Sequence, residues 1–231
     1  MKKDILAQKL EQQLRTVAAE RLAAKREPGL LASRTALKQY QAARLASSHA
    51  DLLAHPNTGD AARFFLEELY GSQDLSQRDI DLGRIIPTLQ KMLTYEALHT
   101  ITDAIVLDAL SEQLDTAMAR VLGTEFTEGM YIAAYRTATT REERLRQLDL
   151  VQELGGSLCD LVNIPLLAMT LTIMKGPARV AGLSNLHKFL ERGFTTFKKM
   201  RKPRDFVATI VARERQVMEN IFEGRMDSFG Q

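Results

Sequence analysis

The chain has one cysteine, Cys159, in 231 residues. That excludes a disulfide framework and a cysteine metal cluster, and it fits a reducing cytoplasm. Tryptophan is absent and aromatic residues make up 6%, too few for a platform that stacks bases or sugars. Thirteen glycines and six prolines are few for an all-β chain, whose turns consume both residues. There is no Gly-x-Ser-x-Gly elbow, no glycine-rich phosphate loop and no dinucleotide fingerprint. Long apolar runs are missing too. The longest, Ile164 to Met174, contains two threonines and at about 1.5 Å per residue falls far short of a bilayer span. Two lysines open the chain, but Lys9, Glu11 and Arg15 interrupt any apolar signal core behind them. These absences predict a soluble, cytoplasmic protein with no membrane partner.

What is present points to a packed core. Apolar residues are 45% and charged residues 26%, a globular balance, in a chain able to bury one sizeable core or two small ones. The net charge of +2 hides an asymmetry. Residues 1–59 carry 10 basic and 5 acidic side chains, residues 60–130 carry 5 and 13, and residues 131–231 carry 16 and 11. Such a chain neutralises itself by packing its ends around its middle; the competing reading is a basic outer face for a polyanion.

Apolar periodicity is helical throughout, with no period-two alternation. The pattern predicts helices over about 4–26 and 33–54, a strong break at His55-Pro56-Asn57-Thr58-Gly59, and a short helix from Asp60 stopped by Gly71. Ser76 with Asp79 reads as a capping box, and Pro87 lies inside the helix that follows. Thr94 caps a long helix closed by Gly123; a helix follows over 125–138; Thr140 with Glu143 opens one over 141–162. Residues 164–175 are apolar nearly all round, which predicts a central buried helix. Lys175-Gly176-Pro177 should stop it, before helices at about 184–201 and 204–223. The expected fold is all-α, a single-domain bundle of roughly ten helices around the 164–175 helix. Residues 1–56 form an N-terminal hairpin able to dimerise, and 57–231 form the main helical domain.

Arg63-Phe64-Phe65-Leu66-Glu67-Glu68-Leu69-Tyr70-Gly71 gathers three aromatics and two leucines around two carboxylates. Stepping about 100° per residue, Phe65, Leu66, Leu69 and Tyr70 share one wide apolar face, while Glu67 and Glu68 flank Phe64. Catalytic carboxylates converge and carry one raised pKa; these diverge, so the stretch reads as a core helix with an Arg63–Glu67 ion pair. The string resembles the motif of an uncharacterised bacterial family described as FFLEELY-motif proteins. The segment MKGPARVAGLSNLHKFLERGF, Met174 to Phe194, is similar as well, and the resemblance covers about residues 60–222. It implies a helical fold and a bacterial origin. It implies no activity and carries over no functional residue.

Candidate chemistry is sparse. Glu96-x-x-His99 with Asp103 is one half of a di-iron signature, and no second half exists; no metal and no cofactor is expected. Asp108, Glu112 and Asp115 line one side of the long helix, and Asp108 among its apolar neighbours needs a partner such as Arg136 or Arg179. Cys159 lies on an apolar stretch and reads as a buried, inert thiol. Gly155-Gly156, mid-helix, reads as a close helix contact. The loop Lys175-Gly176-Pro177-Ala178-Arg179 offers two cations for a phosphate or carboxylate, with Tyr131, Tyr135 and Arg136 as further pocket residues. Lys198, Lys199, Arg201, Lys202 and Arg204 form a basic patch for a small anion or an acidic partner. Nucleic acid fits it poorly without a binding motif or aromatic platform.

The sequence therefore leaves open whether the chain is an enzyme. It favours a non-catalytic helical binding or interaction protein, with a homodimer through the hairpin as one form. The alternatives are a sensor of a small anionic ligand with a pocket near the 175–179 loop, and an enzyme of unknown reaction using Asp108, Arg136 and Arg179.

Overall fold

The structure is a computed structural model that describes residues 1–68, 75–225 and 229. Among them lie eleven helices and no strand: α1 (Lys2–Arg26), α2 (Leu30–Ser48), α3 (Ala50–Ala54), α4 (Gly59–Glu68), α5 (Ser76–Met92), α6 (Tyr95–Leu122), α7 (Glu128–Ala138), α8 (Arg141–Leu161), α9 (Pro165–Val180), α10 (Ser184–Lys199) and α11 (Pro203–Glu223). The all-α, single-domain class read from the periodicity is the one observed.

The helix at the centre is α6. It packs against α1, α2, α7 and α8 and buries Leu98, Thr102, Ile105, Ala109, Leu114, Met118 and Leu122 around most of its circumference. Its threonines tolerate this because each returns its hydroxyl to the carbonyl four residues back: Thr100 to Glu96, Thr102 to Leu98, Thr116 to Glu112. Thr94 caps the helix as its position predicts, accepting from the Ala97 N–H at 3.2 Å. Gly123, at φ 71°, closes it.

Residues 164–175 are not the centre. They form most of α9, which packs chiefly on α10 and leaves Leu166 65%, Met169 54% and Ile173 64% exposed. An apolar composition does not rank helices by depth. Depth belongs to the helix with neighbours on all sides, and that is the mixed-looking α6. Nor does Lys175-Gly176-Pro177 stop α9, which runs on to Val180. Pro177 lies on the exposed side of the helix, where the loss of one backbone hydrogen bond costs least.

Other boundaries moved as well. The predicted 33–54 helix divides at His49, whose ring is drawn into the core by Glu214. The Ser76 capping box does not form: Ser76 is the first residue of α5, with Leu75 in the cap position, and the Asp79 carboxylate goes to Arg21 and Arg78 instead. The Thr140–Glu143 box is present in both directions. In α1, Leu6, Leu10, Leu14 and Val17 pack with Leu82 and Ile86 of α5 and Leu98 and Ile105 of α6. In α2, Leu30 and Leu37 pack with Met118 of α6 and Tyr131 of α7. Both helices are thus seated on α6.

Candidate functional site

Two clusters of buried charged residues and one apolar cavity lie inside the molecule. The first cluster lies where α1, α2, α5 and α6 meet. Glu112 is 2% exposed; it pairs with Arg34, with Lys38 at 2.7 Å and with Arg21 at 3.5 Å. Asp108 receives Arg21 at 3.2 Å and Arg78 at 2.9 Å. Asp79 pairs with Arg21 and with Arg78, and Asp115 accepts from Gln41 at 3.1 Å. Four carboxylates thus face Arg21, Arg34, Lys38 and Arg78, four cations, so the cluster is close to neutral. Burial lowers the pKa of Lys38 and of Arg34 against the pull of Asp115. Burial also holds Asp79 above the ordinary carboxyl range despite its two arginines. Three of the four acids pair with the chain's own cations and the fourth, Asp115, accepts from Gln41, which is the arrangement of a structural lock between four helices.

Asp108 and Glu112 are therefore brought together, but not with the partners the sequence suggested. Arg136 is exposed on α7, and Arg179 is exposed on α9. Neither reaches Asp108, whose cations come from α1 and α5. Arg21, Arg34, Lys38 and Arg78 carry no sequence signal, because each sits on an otherwise ordinary helix and finds its acid only through tertiary packing. Lys175 and Arg179 lie within α9 itself, so no loop is there to cradle an anion. Tyr131 and Tyr135 sit elsewhere. Tyr131 is fully enclosed beside Tyr40, at 4.8 Å between ring centroids, and Tyr135 lies under the Arg144 guanidinium, 4.1 Å from its ring centre. Burial pushes both phenols up. In the basic patch, Lys198, Lys199, Arg201, Lys202 and Arg204 are all exposed around the α10–α11 junction. Arg204 pairs with Asp160 and Lys202 lies 3.8 Å from Asp205.

The second cluster borders the cavity. Arg44 places one guanidinium nitrogen 2.7 and 2.6 Å from the two oxygens of Glu214, and His49 Nε2 lies 2.9 Å from the same carboxylate. Burial alone would raise the Glu214 pKa, but the hydrogen bond with His49 and the charge of Arg44 more than reverse it, leaving the carboxyl below its ordinary value. His49 is 6% exposed, and its Nδ1 is buried with no hydrogen-bond partner, as is Nε of Arg44. Buried polar atoms left this way are rare and need a reason.

His49 and Glu214 form the polar end of a cavity of about 100 Å³. The remaining wall is apolar, made by side chains such as Leu53 of α3, Phe65 of α4, Val151 and Leu158 of α8, and Phe206 and Ile210 of α11. No hydroxyl, thiol or amine lines it among the described residues. Gly155 sets how closely α8 approaches α11 at this wall: a Cβ there would stand 2.5 Å from Cγ1 of Val207.

The aromatic motif supplies part of that wall. Phe65 and Leu66 line the cavity, with Phe65 against Phe197 at 5.5 Å and Phe206 at 6.2 Å. Phe64 is buried on the other side, against Phe189 at 5.6 Å and close over Gly193 of α10. Arg63 pairs with Asp60 at 2.9 Å rather than with Glu67, which reaches Arg192 of α10 at 2.7 Å. Leu69, Tyr70 and the Gly71 stop lie outside the described residues, as does the side chain of Glu68.

The remaining candidates are local. His99 Nδ1 lies 2.7 Å from Asp103 one turn on. No group of three or more His, Cys, Asp and Glu side chains converges as a metal site among the described residues. Cys159 is buried, and burial pushes its thiol up, away from the reactive thiolate.

No curated protein and no solved structure matches the chain. A family model does, over residues 20–228, and that span takes in every residue of both clusters and of the cavity wall. By that match the chain belongs to the family described as a domain of unknown function, DUF8198.

Proposed function

We propose that the chain is a non-catalytic helical binding protein whose cavity between α4, α8 and α11 receives a small apolar group. The observation that carries this is the cavity's own make-up. Its wall is apolar, and one of the residues lining it, His49, has a buried ring nitrogen with no hydrogen-bond partner among the described residues. An apolar group filling the wall, with one polar atom able to hydrogen-bond His49 Nδ1, satisfies both features. A catalytic reading gains less support. Glu214 is held by Arg44 and His49 together, and the wall offers no nucleophile to activate. The sensed group differs from the anion that the sequence suggested, because the cationic residues 175 and 179 do not line this cavity. The resemblance to the FFLEELY-motif proteins adds a bacterial origin to the proposal, and the single thiol adds a reducing cytoplasm.

The test is thermal unfolding of the chain with a panel of small apolar alcohols and benzene-sized rings, repeated on Val151→Phe, which fills the cavity. At about a hundredfold excess over Kd, a ligand that binds only the folded state adds about 2.7 kcal/mol. Compounds carrying one hydroxyl should raise Tm in the wild type and leave Val151→Phe unmoved. If no compound raises Tm, or if the filled variant responds equally, the cavity is packing space and not a binding site.

A further inference from the structure

We infer that α9 is an interfacial helix that lays its outer face on an anionic lipid surface. Its exposed side chains fall on one arc. Setting Leu166 at zero and stepping about 100° per residue, Ile173, Val180 and Met169 follow at about 340°, 320° and 300°. All four are large and apolar, and they are 65, 64, 91 and 54% exposed. The opposite side, Leu167, Leu171 and Ala178, is the one that meets the protein. It is held on α10 in part by the His187 ring, whose Nε2 lies 2.7 Å from the Leu171 carbonyl. A continuous apolar face of this kind on a folded protein marks an interaction surface.

Charge decides the occupant. From Leu161 to Leu190 the sequence contains no aspartate or glutamate, while it carries Lys175, Arg179 and Lys188. On the same wheel Lys175 and Arg179 fall at about 180° and 220°, exposed between the protein-facing side and the apolar arc. Neither forms an ion pair among the described residues. A second copy docking α9 on α9 would bring two cationic, acid-free segments together with no carboxylate to answer them. An anionic bilayer answers them directly: lysine and arginine stems reach the headgroups while the apolar arc enters the acyl boundary. The length agrees. Sixteen residues make about 24 Å, too short to cross the hydrocarbon core and suited to lying in its plane. No single helix among the described residues is long and apolar enough to span a membrane, and the one pair that passes by length and composition, α8 with α9, is bent by 89° at its break. This inference does not depend on the cavity.

The experiment is co-sedimentation of the purified chain with vesicles of phosphatidylcholine alone, and of phosphatidylcholine and phosphatidylglycerol in equal parts. The chain should partition to the anionic vesicles, and less at high salt. Leu166→Ser with Ile173→Ser removes the apolar contact at exposed positions, so the fold is preserved and binding should fall by about tenfold or more. Lys175→Glu with Arg179→Glu should abolish the preference for anionic vesicles. Three results would overturn the inference. One is no binding to either vesicle. Another is binding that the double serine variant leaves unchanged, which would assign it to the basic patch at 198–204. The last is a dimer in sedimentation that the double serine variant dissociates, which would make the face a self-interface.

Discussion

Neutralising Glu112 separates a structural lock from a functional site by the sign of one measurement. Glu112 is 2% exposed and is the acid shared by Arg34, Lys38 and Arg21. Glu112→Gln keeps the shape and removes the charge. Two of its partners, Arg34 and Lys38, are then left without their principal counter-charge at a site that already depresses both of their pKa values. Breaking a buried pair from one side costs about 3–5 kcal/mol, because the charge left behind is desolvated and unanswered. Against a total stability of about 5–15 kcal/mol that is a large fraction. With a urea slope of about 2 kcal/mol per molar, the unfolding midpoint should fall by about 2 M. Asp108→Asn, at a side chain 21% exposed, should cost clearly less. Chemical denaturation followed by circular dichroism gives both midpoints. If Glu112→Gln is neutral or stabilising, the acidic row is strained as a ligand or catalytic site is, and the reading of the cluster as a lock between helices is wrong.

Three further outcomes follow from the same geometry. Gly155→Ala should destabilise by about 1–3 kcal/mol through overpacking on Val207, partly offset by about 0.5–1 kcal/mol of helix propensity. Combined with Val207→Ala it should be less harmful than the sum of the two, by about 1 kcal/mol in a double-mutant cycle, and strict additivity would mean the close contact is not there. Leu167→Asp, on half-buried α9, should leave the protein folded, whereas Leu98→Asp, fully enclosed near the N-terminal end of α6, should abolish folding; equal damage in a thermal melt would restore α9 to the core. Glu214 has a folded pKa below its ordinary 4.5, so the folded protein binds that proton less readily than the unfolded chain. Its stabilising contribution is complete above about pH 4.5 and is lost as pH falls through the folded value. The stability gap between wild type and Glu214→Gln should hold at neutral pH and narrow below about pH 4.5, and a gap that widened on acidification would contradict the arrangement around Arg44 and His49.

The sequence by itself determined the helical class, most helix boundaries, the caps at Thr94 and Thr140, the inert thiol and the tight glycine at 155. Each rests on local chemistry: a period of 3.6, a hydroxyl near its own helix start, a missing side chain where two helices meet. It also separated Phe65 and Leu66 from the carboxylate of Glu67, because one helical turn settles which residues share a face. Tertiary structure decided the rest. Which helix is central depends on how many neighbours surround it, and apolar count alone placed 164–175 where α6 belongs. Which cation answers Asp108 depends on where α1 and α5 come to lie, positions 87 and 30 residues away in the chain. The His49–Glu214 pair joins residues 165 apart, and the cavity it borders exists only between helices that no local pattern relates. The apolar run at 164–175 was legible as apolar; only the packed molecule turned one side of it to α10 and left the other exposed.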